Sequence, residues 1–239
     1  MLTRRQLLLS AAAISMPAAA AIALPGAPRS SVSLGLLQSR RPFMDPNDVT
    51  GSRERAFAAY RVLVRRSLAE QGRLDWLAGG AFPLSGPGPF PQPVLEQLAL
   101  TPHSAEVKWL KSFAKAHQVS LTLGGWWRDT GTGIAHRQLM FDSAGQCRAL
   151  PPSEYWAAEG VQLLTPVHPG MPSLSDFAAE CSRLHRYGAW IEMLQGPVAP
   201  PGALPAMFSG SAVVGPDGGL IAHAGIQEES CLVAKLAIQ

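Results

Sequence analysis

A chain of 239 residues, 47% apolar and only 15% charged, has material for one sizeable core and lacks the charge density of a disordered segment. The formal charge is +3, and setting Arg4 and Arg5 aside leaves a nearly neutral remainder. Composition therefore excludes a polybasic footprint for nucleic acid or a membrane surface.

Met1–Ala27 reads as a twin-arginine-type signal segment. Arg4 and Arg5 precede Leu7–Leu9, and an Ala-rich apolar run continues to Ala23. The run is short for a membrane span and Pro17 interrupts it, so cleavage near Ala23 or Ala27 and a periplasmic or secreted product are expected, with no stable span afterwards. Residues 28–239 then form a single domain.

Ser31–Gln38 reads as a strand buried on both faces. After a loop, Ser52 is expected to cap a helix to Gln71, stopped by Gly72, with Tyr60, Leu63 and Val64 inward and a basic outer face. Leu74–Ala78 is a strand, and Gly79–Pro93 is too rich in Gly and Pro for regular structure. Ser104 starts a helix to His117, followed by strands at Val119–Trp127 and Leu139–Phe141. Pro151–Gly160 reads as a connector and Val161–Thr165 as a strand. Ser173 or Ser175 caps a helix to about Tyr187, and Ala189–Leu194 returns as a strand. The unbroken apolar character of Val119–Trp127 and Val161–Thr165 marks them as interior strands of a two-sheet core.

The chain closes on Ser211–Gly215, the turn Pro216–Gly219, Leu220–Ala224 and a last strand, Cys231–Leu236. Gln138–Arg148 repeats the pattern of strand, Asp, small-residue turn and Gly. Strands alternating with helices before a terminal hairpin indicate an α/β layered domain.

Cys147, Cys181 and Cys231 are an odd set without CxxC spacing, best read as small buried side chains. The six histidines are scattered, and no spacing suggests a zinc site. Ser209-Gly210-Ser211 lacks the elbow of a serine hydrolase.

The order of these pieces resembles the nitrilase, or carbon–nitrogen hydrolase, superfamily. Leu74–Gly86 is similar to the strand and loop D-L-V-V-x-P-E-x-x-L-T-G, and Leu110–Asp129 to the helix and strand that follow. Gln138–Gly145 resembles N-T-x-x-x-x-D-x-x-G, Arg183–Ile191 resembles R-A-x-E-N-x-x-Y-V, and Gly210–Leu236 resembles G-x-S-x-I-x-x-P-D-G-x-x-L-x-x-A. The resemblance implies a four-layer αββα sandwich, truncated in the middle, often assembled as a homo-oligomer through one helix layer. It also implies a Cys nucleophile, a Glu base and a Lys that meets the oxyanion, with no cofactor and no metal.

The chain departs from that pattern at each chemical position. The Glu position falls on Ala81 and the Pro before it on Gly80. Gln146–Glu159 contains no Lys, and the segment that would carry both Lys and Cys is missing before Gly160. In R-A-x-E-N the Glu falls on Arg186 and the Asn on Tyr187. No catalytic, cofactor-binding or metal residue is therefore expected. The favoured expectation is an exported, catalytically inactive protein that binds a small-molecule ligand or a partner. The alternative is a residual amide or nitrile hydrolase using Cys147, beside Arg148, as a displaced nucleophile. Trp126 and Trp127 sit with the Gly79–Pro93 loop where the family has its pocket; packing is the stronger reading, and an aromatic-lined site the other.

Overall fold

The computed structural model describes residues 30–86, 88–129, 131, 133–151, 155–165, 173–191, 210–225 and 229–238. The expected signal segment, Met1–Ala27, lies outside them. Eleven strands and four helices are described. In chain order they are β1 (Ser31–Gln38), α1 (Val49–Gln71), β2 (Trp76–Gly79), α2 (Gln92–Leu98), α3 (Ala105–His117), β3 (Ser120–Asp129), β4 (Gly133–Phe141) and β5 (Cys147–Leu150). Then follow β6 (Tyr155–Ala158), β7 (Val161–Leu164), α4 (Leu174–Leu184), β8 (Tyr187–Trp190), β9 (Ala212–Val214), β10 (Leu220–His223) and β11 (Ser230–Ala237).

Two sheets result, ordered β11-β1-β2-β3-β4-β5 and β10-β9-β8-β7-β6. β1, β2 and β3 run parallel, while β4, β5 and β11 are antiparallel to their neighbours. Both expected central strands, β3 and β7, are interior. Only residues 151–154 link the last strand of the first sheet to the first strand of the second.

Three apolar clusters separate four layers. Leu63, Val64, Val107, Leu110, Leu77 and Leu121 join α1 and α3 to one face of the first sheet. Val32, Leu34, Trp76, Leu163, Ala189 and Val213 fill the space between the sheets. Phe177 and Cys181 of α4 pack on Leu164, Trp190 and Val214, on the outer face of the second sheet. The expected αββα sandwich is thus present, with the interior strands of each sheet largely buried and the edge strands β5 and β10 partly exposed.

The repeated Asp–Gly pattern has one physical meaning in both sheets. Asp142 Oδ1 accepts from the backbone N–H groups of Ala144 and Gln146 at 3.1 and 2.8 Å. Asp217 Oδ1 accepts from Gly219 N at 2.9 Å. Gly145 and Gly218 both have φ of +80°. A Cβ on Gly145 would stand 2.9 Å from Lys111 O of α3, and one on Gly218 3.0 Å from Ala178 O of α4. Each hairpin turn is pressed against the helix covering its sheet, so Gly is needed for both conformation and space.

Four local expectations shift. α1 begins at Val49, capped by Asp48, whose Oδ1 accepts from Gly51 N at 3.0 Å. Ser52 is one turn further in, and its hydroxyl accepts from Asp45 N instead. The carboxylate captures the first free amides before the hydroxyl can. α2, not among the expected elements, starts on the last two residues of the expected Gly79–Pro93 loop, with Pro93 in its first turn, where a missing N–H costs nothing. β6 forms within the expected connector by pairing with β7. α4 stops at Leu184 because His185 turns left-handed at φ 50°, letting Arg186 N donate to Cys181 O.

At the C-terminal end of β1, buried Gln38 ties the two sheets together. Its Nε2 donates to Gly225 O at 2.6 Å and its Oε1 accepts from Ser211 N at 2.7 Å. The same end of the sandwich carries the ends of β2 and β8, and it is here that the candidate site lies.

Candidate ligand site

The apolar inter-sheet cluster stops short of β3, β4 and β5. Leu121, Leu123, Leu139 and Phe141 belong to the helix-facing cluster. By strand alternation, the opposite face presents Ser120, Thr122, Gly124 and Trp126 from β3 and His136, Gln138 and Met140 from β4. Ser120, Thr122 and Gln138 are buried. A polar strip therefore lies between the sheets where an apolar one would pack.

The chain after β2 turns onto this strip. Gly124 N donates to Gly80 O at 3.0 Å, and a Cβ on Gly124 would fall 2.1 Å from Ala81 O. Only a residue without a side chain lets the loop cross here. His136 Nε2 lies 3.0 Å from Ala81 O. A carbonyl can only accept, so Nε2 carries the proton. Burial holds the His136 pKa below the usual imidazole value, with Arg137 adding to the effect and the Ala81 bond opposing it. A neutral ring thus fixes the loop and leaves Nδ1 as an acceptor.

Aromatic rings gather around it. The Phe82 ring lies 4.3 Å from that of His136 and 5.6 Å from that of Trp126, and Phe90 stands edge-on to Trp126 at 6.5 Å. Two donors in this group have no hydrogen-bond partner, Trp126 Nε1 and Gln138 Nε2, although both atoms are buried. The register pairs Trp126 with His136 and Gly124 with Gln138, so these side chains occupy adjacent rungs of one face. Trp127 points the other way and packs in the helix-facing core. The Trp126–Trp127 pair therefore divides, with one ring packing and one at the mouth. His136 and Gln138 carry no motif; only the pairing of β4 with β3 reveals them.

The positions that resemblance aligns with chemistry are now placed. Ala81 offers a methyl group and a carbonyl already engaged. Arg186 Nη1 donates to Gln162 Oε1 at 3.2 Å on the exposed surface, and Tyr187 OH accepts from Ala237 N at 3.2 Å. Both are structural contacts, one from the residue before β8 to β7 and one between β8 and β11. The Glu159 carboxylate accepts from Ser120 Oγ at 2.6 Å. That bond lies four strand residues from Gly124, about 13 Å along β3.

None of the three thiols reaches the inter-sheet strip. Cys147 and Cys231 pack against the helix-facing core and Cys181 lies under α4. All three are free. Burial pushes the Cys147 thiol up to about 11, with Lys111 opposing; it pushes Cys231 to about 11 and Cys181 to about 12. Thiolate is the reactive form, so all three are expected to resist iodoacetamide at pH 7.5 in the folded protein and react after unfolding. A raised folded pKa contributes stability that is complete below the unfolded value, 9.0, and is lost as pH climbs through 11. A melting temperature that stays flat from pH 8 to 11 would contradict this coupling. Among the described residues no three His, Cys, Asp or Glu side chains could hold a metal ion, and no helix is long and apolar enough to cross a membrane.

No family model matches the sequence, and no curated protein matches it significantly. Similarity appears in solved structures. Nit3 of Saccharomyces cerevisiae, a member of branch 10 of the nitrilase superfamily, superposes with a TM-score of 0.66 at 14% identity, covering 87% of this chain and 90% of that one. A carbon–nitrogen hydrolase of Helicobacter pylori G27 gives 0.65 at 13% identity, with 87% and 90% covered. An amidase from Nesterenkonia sp. gives 0.56 at 16% identity, with 88% and 92% covered. The chain has the nitrilase-superfamily fold, as the resemblance implies.

Proposed function

We propose that this nitrilase-fold chain is exported and binds a small molecule or a partner, without hydrolysing carbon–nitrogen bonds by the Glu–Lys–Cys route. One observation carries the reading. Where the resemblance puts a general base, the chain has Ala81, and its carbonyl is held by His136. A methyl group cannot take a proton, and the free Nδ1 of the neutral His136 ring has no thiol beside it to activate, because all three lie in the helix-facing clusters. The proteins of similar fold are hydrolases, and a mutant of the Nesterenkonia sp. AN1 amidase shows covalent addition of the acetamide moiety of fluoroacetamide at its active-site cysteine. Here the thiol considered as a replacement, Cys147, is partly buried on the helix side of its sheet, away from the strip.

Incubation of the mature protein with fluoroacetamide and butyramide tests the proposal. The expected result is no covalent adduct by intact mass and no ammonia release. A single adduct on Cys147 with turnover lost in Cys147→Ala would replace the proposal with the hydrolase reading. Export rests on Arg4 and Arg5 ahead of the apolar run. Replacing both with Lys should hold unprocessed protein in the cytoplasm on fractionation; equal export of the two forms would rule out the twin-arginine route.

A further inference from the structure

We infer that the mouth of the inter-sheet strip is a site for a flat, uncharged molecule that presents a hydrogen-bond acceptor to Trp126 Nε1 and Gln138 Nε2. The inference deepens the reading of the chain as a binding protein and rests on it. Gln138 is only 4% exposed, and its Nε2 has no partner. Trp126 Nε1 is likewise buried and unpartnered, one rung along the same face. Buried amide and indole N–H groups without acceptors are costly and rare, so two on one face call for an occupant that accepts. The neighbouring Trp76 shows the usual outcome, its Nε1 donating to Thr122 Oγ1 at 2.9 Å.

The rest of the site selects the ligand's body and charge. Phe82, Phe90 and the partly exposed Trp126 ring offer apolar faces suited to a planar group. The charged group found to influence His136 is Arg137, whose guanidinium is already paired with Asp129. An anion buried here would meet two neutral donors, with Arg137 paired to Asp129 and Arg128 donating to Glu96 O, which penalises it against a neutral acceptor. A cation would meet the same two N–H donors, with neutral acceptors at His136 Nδ1 and the Gln138 amide oxygen.

The test uses mature protein and probes without a hydrolysable carbon–nitrogen bond, read by ligand-observed NMR titration. Pyridine N-oxide is the neutral acceptor, benzoate the anion and toluene the flat molecule with no acceptor. Pyridine N-oxide is expected to bind at least tenfold more tightly than either of the others. Trp126→Phe and Gln138→Leu keep an apolar body at each position and remove one donor. Each should weaken pyridine N-oxide about three- to tenfold, the worth of one hydrogen bond, with a smaller effect on toluene. Gln138→Leu should also match or exceed the parent in melting temperature, because it removes an orphaned donor. If it folds as well as the parent yet binds pyridine N-oxide equally, the site is refuted; toluene or benzoate binding as tightly as the N-oxide refutes it too. Turnover of amides would sink the non-hydrolytic reading and leave this acceptor site standing, so the two can fail separately.

Discussion

Purified mature protein should show no measurable hydrolysis of short amides or nitriles, and Ala81→Glu should not restore it. General acid–base assistance is typically worth about 10²–10⁴-fold in rate. Losing one oxyanion donor costs on the order of 10²–10³-fold. These effects do not simply add, because catalytic groups act as a unit, but either loss alone puts turnover near the background. A glutamate at position 81 would enter beside the neutral His136 ring and the Gly124 backbone. It would meet no thiol, since Cys147, Cys181 and Cys231 all lie in clusters on the outer faces of the two sheets. The measurement is ammonia release over a panel that includes butyramide, for the parent, Ala81→Glu and Cys147→Ala. Turnover in Ala81→Glu above the parent would show that a nucleophile does reach this mouth.

Trp76→Ala should be among the most destabilising single changes in the protein, by roughly 3–5 kcal/mol. Trp76 is fully buried on β2, at the centre of the inter-sheet cluster with Val32, Leu34 and Leu163. Its removal opens a cavity between two sheets that Gln38 also ties together, so collapse into the space is restricted. It also leaves the buried Thr122 hydroxyl without the indole donor. Trp76→Phe retains most of the ring and loses chiefly that bond, a cost of about 1–3 kcal/mol. Phe43→Ser, at a side chain 76% exposed, should change stability by no more than about 0.5 kcal/mol. Urea unfolding of the three variants gives the ranking through their midpoints at constant slope. A midpoint for Trp76→Ala close to that of Phe43→Ser would mean that the two sheets are not held by this cluster.

The order of strands and helices, and the hairpins built on Asp142–Gly145 and Asp217–Gly218, are properties of the sequence itself. They depend on local chemistry: a carboxylate that can reach amides two residues on, and a glycine able to go left-handed. The start of α4 at Ser173, whose hydroxyl accepts from Asp176 N, is local in the same sense. So is the absence of a carboxylate at Ala81, which no folding can supply at that position. Competition between neighbours decided the start of α1, where Asp48 and Ser52 both qualify as caps and the carboxylate reaches Gly51 N. β6 exists only because β7 lies beside it, a pairing invisible in Tyr155–Ala158 alone. The site belongs wholly to the tertiary structure. His136 and Gln138 form no motif, and Trp126 and Trp127 are identical letters. Strand pairing sends alternate side chains to opposite faces, so the β3–β4 register puts Trp126, His136 and Gln138 on one side and Trp127 in the core. A shift of one residue would reverse that assignment; β3 and β4 are joined by residues 130–132 alone, and burial of Leu121, Leu123, Leu139 and Phe141 under the helices holds the register that sends Trp127 into the core.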